Sequence, residues 1–223
     1  MVSDLRGTQA MLLEFQKRTG RLPGDCDNNG LINANAPLTA TALPNMTAAG
    51  SATSLHNAAA GRSMAAAPVG TSGTANVVCI NNDPAREVDI NLVWNELRRA
   101  GSVDANRLPR ELAVHGMDDA FMVTSMSDGT STANVIVVYG IPIWMAEAVD
   151  ASIDGAATTF EVAAGGPAAT GRVRLWSGAG TVPVAGAARV FTAASATGYA
   201  QGAADRDRRI AISFQFAPNK LAN

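Results

Sequence analysis

Residues 18–30 read RTGRLPGDCDNNG, and the way the chain enters and leaves them decides the fold. A helix-like run, SDLRGTQAMLLEFQKR over residues 3–18, leads in. Leu5, Thr8, Leu12 and Phe15 share one face of that helix with Met11 beside them, while Arg6, Gln9, Gln16 and Lys17 lie elsewhere on the cylinder. Ser3 is the expected N-cap, and Gly7 weakens the helix by roughly 1 kcal/mol relative to alanine. Gly20 suits a C-terminal cap, and Pro23 cannot continue the helix. An apolar stripe of this kind needs a sheet to lie on.

Beyond the break, Asp25, Asp27 and Asn29 fall at positions 1, 3 and 5 of an EF-hand-type calcium loop. Gly30 takes the sharp-turn position, Leu31 offers its carbonyl at position 7, and Asn33 stands at position 9. Alternate residues of such a loop aim oxygens at a hard cation. Position 12 is Ala36 where a bidentate glutamate belongs, so calcium affinity is expected to be weak. The competing reading, and the favoured one, is an Asx-rich turn in which Asp and Asn bond their own backbone. No other cofactor is expected.

The loop also carries Cys26, one of two cysteines; the other is Cys79. They cannot form a CxxC motif. In an oxidising compartment they are expected to pair, because an apolar thiol has little reason to sit in so polar a loop. Closing that loop would contribute about 4 kcal/mol on the chain-entropy estimate. Two unrelated buried thiols are the alternative.

The 223 residues suit one domain over 1–223, with 47% hydrophobic and 16% charged residues. Three regions divide it: the helix of 1–20, a loop-rich stretch of 21–82, and a helix-and-sheet region of 83–223. A net charge of −2 gives no general attraction to nucleic acid or to an anionic membrane. The longest apolar run, VIVVYGIPIWMAEAV over 135–149, is too short for a bilayer core.

From residue 31 to about 82 periodicity is lost. DPAREVDINLVWNELRRAG (83–101) restores it as a helix, with Asp83 as N-cap, Pro84 in the first turn and Gly101 beyond the last. AFMVTSM (120–126) and NVIVVYG (134–140) read as a hairpin. IPIWMAEAVDASID (141–154) reads as a helix ended by Gly155, while RVRLWS (172–177) and IAISFQF (210–216) read as further strands. The expected class is α+β, an N-terminal amphipathic helix on an antiparallel sheet of about four strands, with short helices and long loops.

The sequence argues against an enzyme. His56 lies in the featureless stretch and His115 in a Gly-flanked turn, and no nucleophile elbow, HExxH, Walker loop or dinucleotide fingerprint is present. The arginines Arg206, Arg208 and Arg209 read as a solvated face.

Three segments in order carry a family resemblance: FQKRTGRLPGD (15–25), NELRRAG (95–101), and AEAVDASIDG with TGRVR (146–155 and 170–174). Together they resemble the soluble part of a type IV pilin or type II secretion pseudopilin. Trp94, Leu97, Ala100 and Gly101 match the second element; Asp150, Ile153, Asp154, Gly155, Gly171 and Arg174 match the third. Gly155 stands where the family pattern has a second acid. The resemblance implies a structural subunit, a minor pilin or pseudopilin of a type IV pilus or type II secretion-like filament, that polymerises through an apolar N-terminal helix lying outside this sequence. Its partners would be other pilin or pseudopilin subunits and the inner-membrane assembly machinery. The precursor would be anchored in the bacterial inner membrane, and the head would be periplasmic or at the cell surface. The residues 31–82 would wrap the head, fastened by Cys26 and Cys79. Asp150 and Asp154, one turn apart, would accept from backbone amides or from Arg172 and Arg174 in a structural corner. A pilus-associated binding module, an adhesin or a DNA-uptake pilin, is the alternative function, with no strong nucleic-acid signal behind it.

Overall fold

The computed structural model describes residues 1–32, 78–80, 83, 87, 92–107, 112–116, 119–127, 132–155, 171–175 and 209–217. Asn33, Ala36, His56 and most of the 31–82 stretch lie outside the described residues, as do Arg206 and Arg208.

Helix α1 runs Val2–Thr19 and buries Leu5, Thr8, Leu12 and Phe15, the face its periodicity selects. Gly20 closes it in the left-handed region at φ 84°, its N–H donating to the Gln16 carbonyl at 2.8 Å. A side chain would strain there; glycine does not. The start differs from expectation. Ser3 is inside the helix, because the Met1 carbonyl already accepts from the Leu5 N–H at 3.0 Å. The Met1 ammonium sits 3.2 Å from Asp4, which also suits the positive end of the helix dipole.

Helix α2 is described over Leu92–Arg99. Between Asp83 and Leu92 only Glu87 is described, in a 3-10 position, so the first turns expected after Asp83 lie outside the described residues. Gly101 ends α2 as expected, at φ 69°.

The sheet has the strands β1 (Val114–His115), β2 (Asp119–Ser127), β3 (Thr132–Pro142), β4 (Val173–Leu175) and β5 (Arg209–Ala217) in the order β1-β2-β3-β5-β4. All neighbours are antiparallel. Four of these strands were legible; β1 is a two-residue bridge at the edge, where a turn was expected. Its His115 is buried, with the ring centroid 5.2 Å from that of Phe121.

On β3, Val135, Ile136, Val137 and Val138 are all buried. Successive strand residues face opposite sides, so both faces of the sheet centre are covered. That is why this strand reads as an unbroken apolar run. Leu5, Leu12 and Phe15 join the same hydrophobic core as Trp94, Leu97, Val123, Val137 and Phe214. Gln9 adds a polar tie from α1 to the sheet, donating to the Phe216 carbonyl at 3.2 Å. The amphipathic helix thus lies on an antiparallel sheet, in an α+β arrangement.

Helix α3, Ile143–Asp154, follows β3 directly through Pro142 and ends at Gly155, φ 95°. Its terminal Asp154 accepts from the backbone N–H groups of Arg172 (2.7 Å) and Val173 (2.8 Å), fixing the entry to β4. Gly171 has φ 79°, and a Cβ there would run into the Asp154 carboxylate. No helix among the described residues is long and apolar enough to cross a membrane.

Candidate functional site

The chain leaves α1 through Arg21, Leu22 and Pro23 and enters a loop whose polar groups are almost all engaged. Asp25 is fully buried. Its two carboxylate oxygens accept from the N–H groups of Asn29 and Gly30, each at 3.0 Å. Asp27 accepts from the Asn29 N–H at 3.1 Å and from its side-chain amide at 2.9 Å. The Asn29 side-chain oxygen accepts from the Leu31 N–H at 2.7 Å. Asn28 and Gly30 turn the backbone with φ of 58° and 91°. These are the bonds of an Asx turn, in which short polar side chains replace backbone partners.

Asn134 of β3 fastens the far end of this loop. Its side chain accepts from the Ile32 N–H at 2.9 Å and donates to the Gly30 carbonyl at 2.7 Å. The Ser125 N–H donates to the Ile32 carbonyl at 2.9 Å, so β2 takes part too.

Two glutamates that sequence reasoning passed over organise the near end. Glu87, buried, accepts from the Cys26 N–H at 2.7 Å and the Asp27 N–H at 3.1 Å. Glu96 of α2, also buried, takes a bidentate pair from Arg21, with Nη1 to Oε2 at 2.7 Å. It accepts further from the Gly24 N–H at 2.7 Å and the Cys79 N–H at 3.1 Å. The Arg21 guanidinium stands 5.5 Å over the Phe15 ring, which links the ion pair to the end of α1. Cys26 and Cys79 form a disulfide, with Cα atoms 4.9 Å apart, and Glu87 and Glu96 hold one backbone N–H each on its two sides.

Asp25, Asp27 and Glu87 bring one oxygen each within 4.8 Å of one another, a set that could hold a metal ion. Its third carboxylate comes from Glu87, which no loop spacing indicates. Asn29 turns its oxygen to the Leu31 N–H, and Asn33 lies outside the described residues. Burial pushes the Asp25 carboxyl up from its ordinary 3.8 to about 6, against the lowering effect of the Gly30 and Asn29 amides. Burial raises Glu87 as well.

At the opposite corner, Asp154 meets backbone amides rather than an arginine. The Arg172 Nε donates to the Gln215 carbonyl at 3.0 Å, and its guanidinium lies 4.9 Å over the Phe214 ring. Arg174 donates from Nε to the Gly171 carbonyl at 2.9 Å. Of the partners expected for this corner, backbone amides or arginines, Asp154 takes the amides. Asp150 is buried on α3.

No family model, no curated protein and no solved structure matches this chain.

The Asp25 environment sets a pH dependence. A carboxyl raised in the folded state binds a proton more tightly there than when unfolded. Its contribution is complete below the unfolded value near 3.8 and is lost as pH rises through about 6. The thermal midpoint of the native chain, relative to that of Asp25→Asn, should therefore fall between pH 4 and pH 7. Differential scanning calorimetry of both proteins checks this; a difference that grows with pH would show the ion to be favoured.

Proposed function

We propose that the chain is the globular head of a type IV pilin-like or pseudopilin-like filament subunit, a structural and non-catalytic role. It would assemble through an apolar helix that continues α1 upstream. The observation that carries this reading is the lie of α1: Leu5, Leu12 and Phe15 sit in the sheet's core while the chain leaves the helix abruptly at Gly20. The buried face runs the length of the helix, from Leu5 to Phe15, and an apolar extension upstream would continue it beyond the core as a rod.

Three ties support the reading because they stiffen the head at places where the family resemblance falls. The Pro-Gly-Asp break is fastened by Glu96, Glu87 and Asn134. The Trp94–Gly101 segment forms α2 and its glycine end. Asp154 and Gly171 close the corner between α3 and β4. We assign Asp154, with Asp150, Arg172 and Arg174 around it, a structural part in that corner. Partners would be further subunits and the membrane assembly machinery, with the mature head periplasmic or at the cell surface.

Antibody raised against the chain should label filaments sheared from the cells that make it, and the upstream reading frame should encode a cleavable leader and an apolar helix. Label confined to the cytoplasm, with no such segment upstream, would refute the assignment.

For the 25–33 loop we propose a structural turn, with any calcium held weakly by Asp25, Asp27 and Glu87 in place of an EF-hand set. Millimolar calcium should then raise the thermal midpoint of chelator-treated protein slightly, and Glu87→Gln should abolish the rise. A chain indifferent to calcium has a turn there and nothing more.

A further inference from the structure

Asn29 and Gly30 form the one Asn-Gly pair in the sequence, and they stand in the neck loop. Asparagine is thermolabile. Before glycine it is most so, because a glycine nitrogen has no side chain beside it to hinder its approach to the carboxamide. The reaction needs no partner but water. The Gly30 nitrogen gives its proton to solvent base and bonds to Cγ of Asn29. The Cγ–Nδ2 bond breaks, and that nitrogen takes up a proton and leaves as ammonia. Water then opens the five-membered imide at either carbonyl, which leaves an aspartyl or isoaspartyl residue at position 29. Asn29 is exposed, so water and base reach it.

The closed neck engages every atom that this reaction uses. The Gly30 N–H donates to Oδ2 of Asp25 at 3.0 Å, and Asp25 is fully buried. Taking the proton away there would set an amide anion against a carboxylate. The Asn29 carboxamide is held at both ends, its oxygen accepting from the Leu31 N–H at 2.7 Å and its nitrogen donating to Asp27 at 2.9 Å. Its plane is therefore not free to turn. The Asn29 N–H, which would attack the preceding Asn28, is shared between Asp25 at 3.0 Å and Asp27 at 3.1 Å. Asn134 pins the end of the loop to β3 through Gly30 and Ile32.

We propose that Asn29 is a site of self-modification that the closed neck keeps silent: the chain deamidates there when the loop opens, and the product hinders reclosure. Local opening exposes the reactive arrangement without unfolding the sheet. Because the modification is irreversible, even a small open population accumulates product. The product lacks the amide donor and puts a carboxylate where the amide met Asp27, so two negative charges face each other in place of a hydrogen bond. The isoaspartyl form also lengthens the backbone inside the turn that Asp25 spans. Each event adds one negative charge to the loop. This proposal concerns the loop alone and does not rest on the filament reading above.

Peptide mapping by mass spectrometry tests it, on the disulfide-bonded chain kept in mildly alkaline buffer and on the same chain in guanidinium. Modification at position 29 should be on the order of tenfold to a hundredfold slower in the folded chain, the range set by a hydrogen bond to a charged acceptor. In Asp25→Asn the side-chain nitrogen cannot accept, so one of the two N–H groups loses its partner and the charge is gone. The rate at position 29 should then rise toward the guanidinium value while circular dichroism stays native. Asn29→Asp, which stands for the aspartyl product, should exchange its Gly30 amide faster than the native chain does. The last measurement and the comparison with guanidinium both stand even if Asp25→Asn fails to fold. A folded chain modified at the guanidinium rate, a folded Asp25→Asn that keeps the native rate, or an Asn29→Asp chain with native exchange at Gly30 overturns the proposal.

Discussion

The carboxylate of Glu96 is the constraint on which the neck of this molecule depends. It is buried, so its charge must be neutralised and its lone pairs filled. Arg21 supplies the charge through two parallel N–H donors, and the N–H groups of Gly24 and Cys79 supply the rest. One side chain thereby joins α2, the end of α1, the Pro-Gly turn and the segment that carries the second half of the disulfide. Arg21 and Gly24 lie 75 and 72 positions from Glu96, and Cys79 lies 17. Removal of the carboxylate would orphan all of them together.

Glu87 repeats the device one step along the chain. It holds the amides of Cys26 and Asp27 while Asn134 pins Gly30 and Ile32 to the sheet. The disulfide therefore closes a structure whose two strands of backbone are already gripped by carboxylates from α2 and from the segment before it. On the chain-entropy estimate, its closure of a separation of 53 residues adds about 4 kcal/mol, the same order as a whole domain's margin. The PGD break, which on its face invites a catalytic or metal reading, is thus mainly a place where a helix ends and is fastened to everything around it.

Much of this was legible locally. The face Leu5, Thr8, Leu12 and Phe15 follows from a 3.6-residue period, and Gly20 and Gly155 follow from the need for positive φ at helix ends. The Asx turn was legible in the Asp and Asn spacing, and the cysteine pair in its odd polar setting. Glu96 and Glu87 were not, because a glutamate between Asn95 and Leu97 looks like any solvated charge, and its partner Arg21 is 75 positions away. A usable hint was present: residues 92–97 bury without interruption, so a charge among them needs a partner. The start expected at Asp83 and Pro84 falls on a stretch of which only Asp83 and Glu87 are described. β1 was missed because two residues are too few for any period. At the α3 corner the sequence left backbone amides and arginines both open as partners, and Asp154 takes the amides.

The claim that Glu96 organises the neck is tested most directly by amide hydrogen exchange in Glu96→Ala with the disulfide intact. The Gly24 and Cys79 amides, some 55 residues apart, should both exchange faster, on the order of tenfold to a hundredfold, as expected for loss of a bond to a charged acceptor. The Cys26 amide, held by Glu87, should change less. If Gly24 and Cys79 exchange at the native rate, Glu96 does not hold the neck, and the account given of it is wrong.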